Sequence, residues 1–177
     1  MSERRSTLPM NRAVFLDRDG VLTREKADYV KTPEELEILP GIEEPLREIR
    51  MRGFRIVIIT NQSVVDRGLT THQEMSRIHE KLRQQLARMG CDLDGIYYCP
   101  HRPDEGCSCR KPAPGLILKA AKELGIDTSA SYMIGDKEID LEAARRAGCH
   151  GIRVPTNGSG LAEAVRSILF AEEGLGK

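Results

Sequence analysis

The chain of 177 residues, 40% hydrophobic and poor in aromatics, has the length and apolar content of one ordinary domain spanning 1–177. Twenty-seven Lys and Arg balance 27 Asp and Glu, so no net field draws it to nucleic acid or a membrane, which argues against a dedicated DNA or RNA binder. The start, from Met1 to Pro9, lacks the apolar stretch of a secretory signal, and no later run reaches the roughly 18 apolar residues of a membrane span, so a cytoplasmic protein is expected.

In chain order, residues 1–11 read as a loose arm. Ala13-Val14-Phe15-Leu16 and Arg55-Ile56-Val57-Ile58-Ile59 follow as buried parallel strands. Thr71 with Glu74 three residues later is a capping-box pattern. It opens the clearest helix of the chain, with Met75, Ile78, Leu82, Leu86 and Met89 along one face. Shorter strand-like runs begin at Gly95, Tyr132 and Gly151, and a last helix is expected over 161–171. Glycines at 53, 90, 125 and 148 stand where helices should stop. The strand, helix, glycine, strand rhythm predicts an α/β fold, a doubly wound parallel sheet with helices on both faces. Residues 20–40 are too few for a substantial cap domain, so a covering loop and an open pocket are expected.

Ligands of open parallel sheets bind beyond the carboxyl ends of the strands. Each polar candidate here follows a strand-like run. Asp17 and Asp19 stand two apart before Gly20, so a nearly extended backbone aims both into one pocket. That pattern assigns Asp17 as a nucleophile forming an aspartyl-phosphate, and Asp19 as the acid and base that serves the leaving group and then water. Mg2+ on Asp17 is expected to keep it ionised, and that nearby charge to favour protonated Asp19. Thr60 supplies a hydroxyl and the amides around Asn61 supply donors for phosphate oxygens. Lys111 is a point charge for the transferring phosphoryl group, and Arg110 a planar fork for another substrate oxygen or phosphate. Asp136 is a Mg2+ ligand or a plain helix cap, and Asp140 an orienting group. Alone, Asp-x-Asp-Gly is equally compatible with an ordinary turn; the ordered set is not.

Cys99, His101, Cys107 and Cys109 lie within eleven positions. Three thiolates and one imidazole saturate a tetrahedral Zn2+ with no place for water, so this metal should shape a loop and do no chemistry. Because Cys109 adjoins Arg110 and Lys111, the zinc loop should pin the backbone that carries both cations. Cys91 and Cys149 make the cysteine total five, an odd number that suits reduced thiols, and both read as packing residues. His72, His79 and His150 have no comparable companions in the sequence.

Asp17-Arg18-Asp19-Gly20, Thr60-Asn61-Gln62-Ser63, Cys99-Pro100-His101, Cys107-Ser108-Cys109-Arg110-Lys111-Pro112 and Gly135-Asp136-Lys137 together resemble the D-glycero-D-manno-heptose-1,7-bisphosphate 7-phosphatase family of the HAD superfamily. The resemblance covers about residues 13–155. It implies a HAD-like fold with a minimal cap, Mg2+-dependent hydrolysis of the 7-phosphate, and a structural Zn2+. The site it implies has Asp17, Asp19, Thr60 and Lys111 as catalytic residues, and Asp17, Asp19 and Asp136 around Mg2+. Tyr29, Asn61, Gln62, Ser63, Arg110 and Lys137 would approach substrate. A small phosphorylated sugar is the implied partner, of a monomer that engages neither nucleic acid nor membrane. Val64, Val65 and the short stretch between His101 and Cys107 depart from the family pattern and are expected to reshape the pocket. Zinc-bearing histidinol-phosphate phosphatases share most of these motifs, although Asp66-Arg67-Gly68 before the Thr71 helix is closer to the heptose enzymes. An inactive zinc-stabilised binding module is the alternative of another class.

Overall fold

Side-chain alternation along the first two strands fixes the layers. The structure, a computed structural model, describes residues 11–174. In β1 (Ala13–Leu16), Val14 and Leu16 point into one core, Ala13 and Phe15 into another; in β2 (Arg55–Asn61), Ile56 and Ile58 face the first, Val57 and Ile59 the second. All these side chains are buried, which explains why the strands read as unbroken apolar runs.

The strands β3 (Gly95–Cys99), β4 (Tyr132–Gly135) and β5 (His150–Arg153) complete a five-stranded sheet in the order β3-β2-β1-β4-β5, with every neighbouring pair parallel. On the larger core lie α1 (Glu43–Met51), α2 (His72–Arg88) and α5 (Leu161–Gly174). On the other face lie α3 (Gly115–Leu124) and α4 (Glu138–Ala147), whose buried residues there are Leu116, Ile117, Ala120, Ala121, Ala143, Ala144 and Ala147. The expected doubly wound sheet is therefore present.

Half of the expected capping box of α2 is present: the Thr71 hydroxyl accepts the Glu74 amide at 3.1 Å, satisfying one otherwise unpaired donor, while the Glu74 carboxylate accepts from Arg77 instead of the Thr71 amide. Met75, Ile78, Leu82 and Leu86 are buried along its inner face, each contributing about 1.5–3 kcal/mol by leaving water. Gly53, Gly90, Gly125 and Gly148 all hold positive φ at helix ends. The last helix runs three residues past the expected 171.

Two expectations need revision. The arm expected over 1–11 lies outside the described residues except for Asn11, which is anchored: its side-chain amide donates to the Leu124 and Gly125 carbonyls at 2.7 Å each. Val64 and Val65 do not shape the pocket, being buried in the larger core. Residues 20–40 contain one turn of 3-10 helix, Pro33–Glu35, and are otherwise loop tied by bridges from Thr23 to Asp19 and Ile38. No cap domain is inserted there.

Candidate active site

Strand β1 pairs with β2 on one side and β4 on the other, so the sheet reverses its winding at the carboxyl ends of β1 and β4. Such switch points leave a crevice. Asp17 is the first residue past β1, and its amide donates to the Ile134 carbonyl of β4 at 3.0 Å. Asp136 is the first past β4, and Asp140 lies in the first turn of α4. One carboxylate oxygen of each of the three lies within 4.8 Å of the others.

Lys111 enters this group from the far side of the chain. Its ammonium stands 3.0 Å from Asp17 Oδ1 and 2.7 Å from Asp140 Oδ1, and donates to the Ile59 carbonyl at 2.8 Å. It is 2% exposed. Burial works against its charge, but Asp17 and Asp140 outweigh it and raise its pKa. Burial likewise pushes Asp17 up to about 7; Lys111 opposes the rise, while Asp140 and Asp19 add to it.

Asp136 is left partly unmatched. Its Oδ2 accepts the Thr156 hydroxyl at 2.6 Å, but its Oδ1 is buried without a hydrogen-bond partner. A buried orphan oxygen is costly unless a cation meets it. Three clustered carboxylates, two of them paired to one ammonium and the third with an unpaired oxygen, fit a hard divalent cation with oxygen ligands. Asp140 is the third acid of this side-chain cluster, while the Asp19 carboxylate, expected around Mg2+, is turned toward Arg18. The helix-cap alternative for Asp136 also fails, because Lys137 is the N-cap of α4 and Asp140 Oδ2 accepts its amide at 3.0 Å. Gly20 is required here: it holds φ +89°, and a Cβ would stand 2.5 Å from Asp136 Oδ2.

Asp19 points elsewhere. Arg18 Nε and Nη2 donate to its two oxygens at 3.1 and 2.8 Å, the Thr23 hydroxyl to Oδ1 at 3.0 Å, and Gln62 Nε2 to Oδ2 at 2.7 Å. Burial pushes the Asp19 carboxyl up, but the Arg18 guanidinium, helped by Gln62 and Thr23, outweighs it and holds the pKa below the ordinary value. Without a bound cation Asp17 is therefore the weaker acid of the two. The sequence placed Arg18 beside both acids but did not show that it turns back to clamp only one.

A cavity of about 540 Å³ opens over these groups. Asp17, Asp19, Tyr29, Thr60, Asn61, Gln62, Ser63, Arg110, Lys111 and Lys137 all line it, so the expected catalytic and substrate-facing residues converge. Their side chains have unequal freedom. Asn61 is already occupied, accepting the Lys111 amide at 3.0 Å and donating to the Lys111 carbonyl at 3.1 Å. Gln62 also donates to Thr60 Oγ1 at 2.8 Å. Lys137 is paired with Glu25, and Arg110 donates to the His101 carbonyl at 3.1 Å. Tyr29, at φ +60°, has the Arg67 guanidinium 6.0 Å from its ring centre.

Sequence reasoning missed Arg67 and Glu25 in the lining, and Thr156 behind Asp136. Arg67 had a signal, four residues after Ser63 in a polar turn; its Nε donates to Ser63 Oγ at 3.2 Å. Thr156 stands just past β5 and had only that position to mark it.

At the carboxyl end of β3 the four soft ligands meet. Cys109 Sγ is 3.1 Å from Cys99 Sγ and 3.5 Å from Cys107 Sγ, Cys99 and Cys107 are 3.6 Å apart, and His101 Nδ1 lies 3.3 Å from Cys99 and 3.2 Å from Cys109. Those separations approach the edges of a tetrahedron around a metal about 2.3 Å from sulfur. Burial pushes the Cys107 thiol up, but the Arg110 amide and the neighbouring thiols bring it down to about 7, while burial keeps the Cys99 and Cys109 thiols above their ordinary value. The donor set fits zinc.

A buried carboxylate at a sheet switch point, a lysine paired to it, a second acid two residues on and an acid trio able to hold a cation are the arrangement of a phosphatase of the HAD class. A family model described as HAD-hydrolase-like matches residues 108–172. The D-glycero-beta-D-manno-heptose-1,7-bisphosphate 7-phosphatase of Yersinia pestis is 44% identical over 142 residues, covering 76% of this chain and 75% of that protein. The enzyme of the same name from Helicobacter pylori strain J99 is 45% identical over 138 residues, covering 77% and 79%. A crystal structure of D,D-heptose 1,7-bisphosphate phosphatase from B. bronchiseptica, complexed with magnesium and phosphate, superposes with a TM-score of 0.83 at 34% identity over 92% of this chain and 99% of that one. The chain belongs to the D-glycero-β-D-manno-heptose-1,7-bisphosphate 7-phosphatase family. Neither histidinol phosphatase nor inactive binding module is favoured.

Proposed function

We propose that this chain removes the 7-phosphate of D-glycero-β-D-manno-heptose 1,7-bisphosphate, with Mg2+ at Asp17, Asp136 and Asp140 and a structural Zn2+ on Cys99, His101, Cys107 and Cys109. The observation that carries the reading is the acid trio around Lys111, in a chain 44% identical to an enzyme of that name. The β anomer comes from the relatives' names.

Asp17 attacks phosphorus, the ester P–O bond breaks, and the sugar alkoxide takes a proton from Asp19. Water then attacks the aspartyl phosphate and gives a proton to Asp19; the bond from phosphorus to Asp17 breaks and phosphate leaves. Lys111 holds a fixed positive charge beside the attacking oxygen throughout, and Thr60 donates to a phosphoryl oxygen. Mg2+, when bound, neutralises the charge gathered between Asp17 and the phosphoryl group. Arg110, reaching from the zinc loop, takes a more distant substrate oxygen; Tyr29, Gln62, Ser63 and Lys137 line the sugar's path. Asn61, expected to touch substrate, acts by clamping the Lys111 backbone. The clamp on Asp19 favours the ionised form, the state needed to accept a proton from water; the proton it gives the alkoxide is taken up from solvent before attack, when the negative charge of the arriving phosphate opposes the clamp.

The enzyme is read as a single-domain cytoplasmic monomer without nucleic-acid or membrane partners. Balanced charge supports this, and no helix among the described residues is long and apolar enough to cross a membrane. The test is kcat/KM for heptose bisphosphate and for histidinol phosphate under identical Mg2+. The heptose compound should be preferred by at least about tenfold, a difference of about 1.4 kcal/mol in transition-state binding; preference for histidinol phosphate would reject the substrate assignment.

A further inference from the structure

Arg18 is the largest side chain with no exposure at all, and its surroundings differ from those of the other site cations. Two of its nitrogens grip Asp19. The third, Nη1, turns into the core and meets two residues of α2, His79 Nε2 at 3.1 Å and Met75 Sδ at 3.4 Å. A guanidinium has no acceptor, so the His79 contact forms only if Nε2 carries no proton and accepts from Arg18. His79 is itself buried, with the Tyr98 ring of β3 edge-on at 5.3 Å. The result is a relay of direct contacts from a core helix, through one histidine and one arginine, to a carboxylate on the cavity wall. Neither His79 nor Met75 lines that cavity.

A buried guanidinium with an unpaired donor is costly, and deleting its acceptor leaves the charge free to rotate toward any other partner. The fork on Asp19 depends on that rotation being blocked. We propose that His79 is a positioning residue of the reaction: by accepting from Arg18 Nη1 it fixes the guanidinium, and thereby the Asp19 carboxylate, where a proton is exchanged with the leaving group and with water. The inference rests on the reading of Asp19 as the proton-transfer group. Met75 adds packing and a weak acceptor.

The test uses leaving groups that differ in their need for a proton. 4-Nitrophenolate leaves unprotonated, whereas a sugar alkoxide requires the acid, and kcat/KM reports the steps through the first bond cleavage. In the Mg2+-loaded enzyme, His79→Leu should keep kcat/KM for 4-nitrophenyl phosphate within about twofold, and lose roughly ten- to a hundredfold on heptose bisphosphate, part of the 10²–10⁴ that acid-base catalysis contributes. His79→Gln, whose side-chain oxygen reaches the position of Nε2 and can still accept from Arg18, should recover most of the loss. Equal losses on both substrates, or no loss on either, would overturn the proposal. So would failure of His79→Gln to recover activity in a folded protein. If His79→Leu does not fold, Arg18→Lys, which keeps the charge and loses the fork, is read in the same way. Asp19→Asn separates the two levels: a uniform effect across leaving groups in that variant rejects Asp19 as the proton donor, whereas selective loss in Asp19→Asn with none in His79→Leu rejects His79 alone.

Discussion

Lys111 between Asp17 and Asp140 is the residue-scale key to the site, because one buried ammonium serves two carboxylates that would otherwise repel. Asp17→Asn should abolish turnover while the circular dichroism spectrum remains native; an amide neither attacks phosphorus nor carries the charge a cation needs. Measurable full activity in that folded variant would remove Asp17 as the nucleophile. Arg110 and Lys111 should fail differently. Arg110→Ala is expected to reduce kcat/KM for heptose bisphosphate far more than for a small aryl phosphate, while Lys111→Ala reduces both, since its charge serves the shared transition state. Comparable losses from Arg110→Ala on the two substrates would count against its contact with the remote part of the sugar.

His79 carries a pH signature of its own. Burial, reinforced by Arg18, lowers its pKa from 6.5 to about 3. Between those values the unfolded chain holds a proton the native one lacks, so stability rises with pH. The contribution is complete above about 6.5 and is lost progressively as pH falls toward 3. Replacing His79 by Gln should flatten this part of the curve. Urea midpoints at pH 7 and pH 5 should show wild type losing up to about 2 kcal/mol more than the variant over that interval. Parallel curves would show that His79 is not held neutral.

Among the elements, α2 and the loop carrying Cys107 and Cys109 divide the work of support. Leu82, fully buried on α2, should cost about 2–5 kcal/mol when cut to Ala, measured by denaturant midpoint, with little change in metal content. Cys107→Ser should instead lose zinc by elemental analysis and raise KM or lower kcat, because Cys109, Arg110 and Lys111 are consecutive and the Lys111 peptide is clamped to Asn61. Retention of one zinc per chain in that variant would exclude Cys107 as a ligand. The elements themselves were legible in sequence because local signals agree: Thr71 caps α2, its apolar residues recur at helical spacing, and glycines close four helices. What escaped depends on contacts across long separations. Thr156 meets Asp136 from the next loop, Arg18 finds His79 61 residues away, and Asn61 finds Lys111 50 residues away. No local pattern encodes those pairings, although Asp-x-Asp-Gly and the four zinc ligands marked their neighbourhood.

For the whole molecule, the sheet order gathers onto one edge groups from the ends of β1, β2, β3 and β4, leaving the helices to bury both faces. Chemistry and stability are thereby separated in space, and the site opens at the switch point without a cap domain. The two candidate metal sites differ in the same sense: three thiols and an imidazole would close one, while the oxygen cluster with the orphaned Asp136 Oδ1 has room for ligands other than protein. The most direct test of the central claim is phosphorus NMR of D-glycero-β-D-manno-heptose 1,7-bisphosphate incubated with the protein and Mg2+. The 7-phosphate resonance should disappear as inorganic phosphate grows, with the anomeric 1-phosphate retained and the reaction stopped by Asp17→Asn. Loss of the 1-phosphate first, or no hydrolysis by the metal-loaded wild type, would contradict it.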